Sequence, residues 1–108
     1  MKKVLILGGS GYLGSALYLH LKENYKVTTV DLDWFGKFSS SPYHLSMDFA
    51  SLRAPFYEEY DFVILLAGHS SVPMCKENNV SVFKNNIQNF FELINKLSPK
   101  TGLIYASS

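Results

Sequence analysis

The chain of 108 residues has few of the features that mark secreted or membrane proteins. It contains one cysteine, Cys75, which excludes an intrachain disulfide and fits a reducing compartment. Its apolar runs are no longer than strands, so no stretch of the sequence is long enough to cross a bilayer. The apolar run after Met1-Lys2-Lys3 is also too short for a signal-peptide core. We therefore expect a cytoplasmic protein with no membrane partner.

Blocks of like charge are also missing from the sequence. Ten basic residues are interspersed with nine acidic ones, and the formal net charge is +1. Binding to a phosphate backbone requires a clustered basic face, so we expect no nucleic-acid partner. Hydrophobic residues make up 47% of the chain, enough for one folded domain, but 108 residues are few for holding both a dinucleotide and a second substrate.

A glycine-spaced turn follows the first apolar run. Gly8, Gly11 and Gly14 lie three residues apart, between a strand-like segment and a helix-like one. In such a turn the first glycine allows the chain to leave the strand, the second lets the backbone approach a pyrophosphate, and the third lets the helix pack closely. Phosphate charge would meet the free N–H groups at the helix N-terminus. The pattern indicates a dinucleotide-binding site, provided that the surrounding chain is of the right type.

Strand and helix patterns alternate along the whole chain. They predict an α/β fold, a doubly wound parallel sheet of strand order 3-2-1-4-5 whose ligand lies beyond the carboxyl ends of the strands. One broad apolar stripe on the last helix includes Phe90, Phe91 and Ile94, while residues 49–60 show no clear pattern. The expected strands are residues 3–7, 27–30, 44–47, 62–66 and 103–106, and the expected helices are residues 12–23 and 80–97.

Two carboxylates follow expected strands at the carboxyl edge. Asp31 ends the second strand, where a carboxylate accepts hydrogen bonds from both ribose hydroxyls of an adenosine and repels a 2′-phosphate. Asp31 therefore favours NAD over NADP, with Asp33 as an alternative ligand and a simple turn cap as the other interpretation of Asp31. Asp48 follows the third strand, and it either reaches the adenine amino group or lies in a surface turn.

Taken together, these motifs resemble the extended short-chain dehydrogenase/reductases, and most closely their NAD-dependent nucleotide-sugar epimerases and dehydratases. The resemblance covers the whole chain but only the first part of the family's fold, a Rossmann domain truncated after the fifth strand. The motifs that carry it are the run from Gly8 to Gly14, Asp31, Met47-Asp48, Leu66-Ala67-Gly68 and Tyr105-Ala106-Ser107-Ser108.

The resemblance implies a role for each matching residue. Gly8, Gly11 and Gly14 match the pyrophosphate loop, to which Tyr12 and Leu13 add backbone N–H groups. The other implied cofactor ligands are Asp31 at the ribose, Asp48 and Phe49 at the adenine end, Ala67, Gly68 and His69 in the turn along the cofactor, and Asn86, with Asn85 as an alternative, on the last helix. Ser108 matches the catalytic serine that hydrogen-bonds the reacting sugar oxygen, with Ser107 as its alternate.

The family's catalytic Tyr-x-x-x-Lys is implied to lie beyond Ser108, so we expect this chain alone to bind NAD weakly and to turn over nothing. Tyr18 and Lys22 have the same spacing, but their helix runs away from the nicotinamide end, so we do not expect them to be catalytic. The family often carries Gly-Thr where this chain has Asn89 and Phe90.

Two other functions fit the same motifs. One is a stand-alone, non-catalytic dinucleotide-binding or sensor module, and the other is a Rossmann-like domain for a different ligand such as S-adenosylmethionine. A sheet that ends at an apolar strand also leads us to expect self-association or a homo-oligomer.

Overall fold

A computed structural model places five parallel strands at the centre of the molecule. It describes residues 1–9, 12–31, 41–66, 88 and 90–105. The strands are β1 (Lys3–Leu7), β2 (Lys26–Asp31), β3 (His44–Ser46), β4 (Phe62–Leu65) and β5 (Gly102–Tyr105). The helices are α1 (Tyr12–Leu21), α2 (Ala54–Tyr57) and α3, whose described residues are 88 and 90–96, and a 3-10 turn covers Phe49–Ser51.

The strands form one sheet in the order β3-β2-β1-β4-β5, and every pairing is parallel. The predicted fold class and strand order are therefore confirmed. Leu5, Ile6 and Leu7 are fully buried because β1 lies in the middle of the sheet and is covered on both faces. A strand with one face in water alternates apolar and polar residues. Both faces of β1 are covered, so its residues from Val4 to Leu7 are all apolar.

Alternate residues of the central strands pack into two separate hydrophobic cores, one on each face of the sheet. Leu5 and Leu7 of β1 point to the face covered by α2 and α3, where they pack with Tyr57 and Leu93. Val4, Ile6, Val27 and Ile64 point to the opposite face, where they pack with Tyr18 of α1. Helices on both faces are the defining feature of a doubly wound sheet. Tyr18 is thus a core residue, only 8% exposed.

Helix α1 is shorter than predicted, because it ends at Leu21 rather than at residue 23. The N–H of Asn24 and the N–H of Tyr25 both donate to the carbonyl of Leu21, at 3.1 and 3.0 Å. This pair of hydrogen bonds tightens the last turn and leads the chain directly into β2.

Among the described residues, no helix is long and apolar enough to span a membrane.

Helix α3 buries only part of the predicted apolar stripe, together with Leu93. Leu93 is 1% exposed, and Phe90 and Leu97 pack against the same core. Phe91 and Ile94, which the predicted apolar stripe also includes, are 63% and 43% exposed. The packed residues Phe90, Leu93 and Leu97 form an i, i+3, i+7 row, and Phe91 and Ile94 lie beside that row.

Candidate functional site

The turn after β1 lies at the carboxyl edge of the sheet. Gly8 has a φ of 96°, in the left-handed region that only glycine adopts without strain. The N–H groups of Gly8 and Gly9 donate to the carbonyl of Val30 at 2.7 and 3.2 Å, so the turn is fastened to β2. Gly8 therefore has the backbone conformation that the predicted tight turn requires.

Helix α1 packs directly on this turn through Gly14. A Cβ atom at Gly14 would lie 2.4 Å from the carbonyl oxygen of Gly8 and 2.8 Å from the Cα of Gly9. Since both neighbours are backbone atoms, no side-chain rotation relieves the contact. The first turn of α1 can approach β1 this closely only because residue 14 has no side chain.

Gly9 is a second close contact, and no role was predicted for it from the glycine spacing. A Cβ at this position would lie 2.3 Å from the Cβ of Thr29, a fully buried residue of β2. The pair Gly8-Gly9 directly after an apolar strand could have indicated this contact. Only one of the two glycines is needed for the positive φ, so the second suggests a close approach of another backbone or side chain. Gly9 and Gly14 thus allow close packing of the turn on β2 and of α1 on the turn, and we call these close-packed glycines and the start of α1 the cradle.

The cradle has the chemistry of a phosphate site. The first turn of α1 contains no acidic residue, so no carboxylate competes for the free N–H groups of the helix N-terminus. Leu13, predicted to contribute a backbone N–H, is 53% exposed. Tyr12 begins the helix, and Ser15 donates a long hydrogen bond of 3.5 Å to the carbonyl of Gly9. These residues lie where the sequence predicts the pyrophosphate loop, and their role as ligands stays a prediction.

Asp31 and Asp48 lie at the same edge as the cradle. Asp31 is the last residue of β2 and is partly buried, and its carbonyl accepts the N–H of Met47 at 2.8 Å. Asp48 follows β3 and caps the 3-10 turn, with Oδ1 accepting the N–H of Ala50 at 3.0 Å. Asp48 therefore lies in a surface turn, where one of its oxygens is already engaged, and its contact with the adenine amino group stays a prediction.

The backbone of Phe49, a residue predicted at the adenine end of the cofactor, is hydrogen-bonded to the side chain of Tyr57. The Tyr57 hydroxyl donates to the carbonyl of Phe49 at 3.3 Å. Burial, helped by the nearby Asp48 carboxylate, raises the pKa of Tyr57 to about 12. The phenol therefore stays neutral at physiological pH and keeps the proton that it donates.

The remaining predicted site residues lie outside the described part of the chain. The N–H of Leu66 donates to the carbonyl of Leu7 at 2.8 Å, which extends the pairing of β1 and β4 to the start of the expected cofactor turn. In the part of the chain that is described, no three His, Cys, Asp or Glu residues form a candidate metal site. The predicted residues outside it are Gly11, Ala67, Gly68, His69, Asn86 and Ser108, with the alternatives Asp33, Asn85 and Ser107.

Residues 4–108 match the model of the NAD dependent epimerase/dehydratase family. The chain belongs to this family. The match covers nearly the whole chain and agrees with the sheet order and the glycine turn. The family resemblance predicted from the sequence is confirmed, and so is its cofactor, because the family is NAD dependent.

Solved structures of larger proteins share this fold. A UDP-N-acetylglucosamine 4-epimerase from Methanobrevibacter ruminantium, in complex with UDP-N-acetylmuramic acid, matches at 26% identity and a TM-score of 0.77, over 88% of this chain and 33% of the other. A UDP-glucose 4-epimerase with UDP-glucose from Thermotoga maritima matches at 24% identity and a TM-score of 0.78, over 98% and 38%. The Bordetella bronchiseptica enzyme WbmF, in complex with NAD, matches at 22% identity and a TM-score of 0.77, over 99% and 36%. The chain thus spans between 33% and 38% of these three proteins.

Proposed function

We propose that this chain is the NAD-binding part of a nucleotide-sugar epimerase or dehydratase. The observation that carries the proposal is the backbone cradle formed by Gly8, Gly9 and Gly14 at the N-terminus of α1, on the same edge of the sheet as Asp31. Family membership supports the cofactor, and the ligands of the similar structures support the substrate class, since several contain UDP or a UDP-sugar.

Each end of the cofactor has its own set of proposed ligands. The pyrophosphate is bound by Gly8, Gly11, Gly14 and the N–H groups of Tyr12 and Leu13, and Asp31 accepts the ribose hydroxyls. The adenine lies against Asp48 and Phe49, and the rest of the cofactor follows Ala67, Gly68, His69 and Asn86.

Bound NAD supplies a hydride acceptor for oxidation of a sugar carbon. The residues of this chain fix the cofactor at the carboxyl edge of the sheet, where the glycine turn and Asp31 hold its phosphates and ribose. Ser108 is proposed to donate a hydrogen bond to the reacting sugar oxygen and so to orient it.

We also propose a cytoplasmic location, supported by the single cysteine.

Calorimetric titration with NAD, NADP and S-adenosylmethionine tests the cofactor assignment. We expect NAD to bind the 108-residue chain more tightly than NADP, because the Asp31 carboxylate repels a 2′-phosphate. Asp31→Asn keeps the shape of the side chain and removes its charge, so it should weaken NAD binding by about tenfold, equivalent to about 1.4 kcal/mol. Binding of none of the three ligands would disprove the proposed site.

Asp61→Asn is the matched control for this titration. Asp61 also flanks a strand, but it lies at the amino edge of the sheet, where its carboxylate accepts the N–H of Lys3 at 2.8 Å. We expect this variant to bind NAD as the unchanged chain does. Equal loss in both variants would contradict the role of Asp31, and loss in Asp33→Asn alone would transfer that role to Asp33.

We further propose that the chain self-associates through the β5 edge. In the described part of the chain β5 lies at one edge of the sheet, and Ile104 and Tyr105 are 55% and 52% exposed. The ring of Tyr105 lies 4.8 Å from that of Phe90, which in turn contacts the exposed ring of Phe91. An open edge beside exposed apolar side chains favours pairing with another copy of the chain.

Sedimentation velocity over a wide concentration range measures this self-association. We expect the weight-average mass to rise with concentration, and Ile104→Lys to return it toward the monomer because a charge protects a strand edge. Leu19→Lys changes a residue of similar exposure on α1, 54%, and should leave the association unchanged. A monomer at every concentration would contradict the proposal.

A further inference from the structure

An ammonium group from α3 contacts the segment that follows β3. Nζ of Lys96 donates to the carbonyl of Leu52 at 2.7 Å and to the carbonyl of Ala50 at 3.2 Å. These partners are 44 and 46 residues away in sequence, and the side chain of Lys96 is only partly exposed. The contact therefore joins two elements that are distant in the chain.

The segment 49–52 is held at both ends of its helical turn. At the start of the turn, the Asp48 carboxylate accepts a hydrogen bond from the N–H of Ala50. Toward its end, the Lys96 ammonium donates hydrogen bonds to the carbonyls of Ala50 and Leu52. This arrangement matches the polarity of a helical turn, whose N–H end is positive and whose carbonyl end is negative. The Tyr57 hydroxyl on the carbonyl of Phe49 adds a third attachment.

We propose that Lys96 is a positioning residue for the adenine end of the cofactor. Its two hydrogen bonds join segment 49–52 to α3, and this segment begins directly after Asp48 at the carboxyl edge of the sheet. Lys96 itself does not touch the cofactor. The inference rests on the NAD site proposed above and adds a residue from a different element of the fold.

Charge-assisted hydrogen bonds to partly buried carbonyls are stronger than exposed ion pairs, so their loss should be measurable. Lys96→Met keeps the apolar stem of the side chain and removes the three donors. Segment 49–52 then loses the two hydrogen bonds from Lys96, while the apolar packing of α3 remains. Lys96→Arg keeps a cation with several donors and should restore most of the effect.

The test compares NAD with nicotinamide hypoxanthine dinucleotide, in which the adenine amino group is replaced by oxygen. We expect the unchanged chain to prefer NAD, and Lys96→Met to bind NAD about tenfold more weakly and to lose this preference. General destabilisation would lower both affinities by the same factor and leave their ratio unchanged. Lys100→Met, a change at an exposed lysine after α3, is the matched control and should keep both affinities.

Tyr57→Phe is a second variant, which acts on the same segment without changing Lys96. It removes the hydrogen bond to Phe49 and should also reduce the preference for adenine. If Lys96→Met keeps the NAD affinity and the preference of the unchanged chain, the role of Lys96 is overturned while the NAD site stands. If the unchanged chain binds neither dinucleotide, the proposed function is overturned, and the role of Lys96 with it.

Discussion

Replacing Gly14 with alanine is expected to abolish detectable NAD binding and to lower the free energy of unfolding by about 3 kcal/mol. Two effects oppose each other at this position. Alanine is favoured over glycine inside a helix by about 1 kcal/mol, so propensity alone predicts stabilisation. The new Cβ would lie 2.4 Å from the Gly8 oxygen, however, and only movement of α1 or of the glycine turn relieves that contact. The steric effect is the larger one, and it distorts the phosphate cradle.

Gly102→Ala is the control for this substitution. Its Cβ would lie 2.7 Å from the Cδ1 of Phe62, a side-chain atom that can move, at the amino end of β5. We expect a loss of at most about 1 kcal/mol and an unchanged affinity for NAD. Urea unfolding measures the stability of both variants, and calorimetry measures their binding. An alanine at position 14 that left NAD affinity intact would disprove the proposed cradle.

Replacing Leu93 with alanine is expected to lower the free energy of unfolding by about 3 kcal/mol. Leu93 is 1% exposed and packs in the core cluster with Leu5, Leu7 and Tyr57. Truncation removes buried apolar contacts and leaves a cavity between α3 and the sheet. Phe91→Ala removes a larger side chain that is 63% exposed, so it should change the stability by only about 0.5 kcal/mol.

Urea unfolding of the two variants decides which face of α3 is buried. Residues 91 and 93 are two positions apart, and each position turns a helix by about 100°, so their side chains point to nearly opposite sides. A large loss for Phe91→Ala with little loss for Leu93→Ala would contradict the structure and support the stripe predicted from sequence. Both variants should be compared in dilute solution, where self-association through Phe91 contributes least.

The parts of the fold that follow local rules were predictable from the sequence. β1 and β4 are short apolar runs bounded by polar or glycine residues, which indicates strands buried on both faces of a parallel sheet. Alternation with helices then restricts the order of the strands, because parallel crossovers are right-handed. Residues 49–60 were not predictable, because a 3-10 turn of three residues and a helix of four are too short to show periodicity.

The candidate site likewise contains some positions that were predictable from the sequence and others that were not. The positions of Gly8, Gly14 and Asp31 follow from motif spacing, because each belongs to a strand end or helix start that the sequence itself marks. The cap at Asp48 depends on the turn that follows it, so its spacing alone left two interpretations open. Gly9 was missed because its partner, Thr29, lies on a neighbouring strand, and a contact between strands leaves no periodic signal.

Local patterns in the amino-acid sequence were sufficient to predict the family, the α/β fold and the edge of the sheet at which we propose that the dinucleotide binds. These features depend on short-range patterns, namely apolar runs, glycine spacing and carboxylates at strand ends. Three features became visible only in the folded molecule: the buried face of α3, the backbone atoms that leave Gly14 no room for a side chain, and the hydrogen bonds from Lys96 to the turn after Asp48. Those outcomes depend on how separate elements pack against one another, and packing distances between distant residues are not encoded in any local pattern.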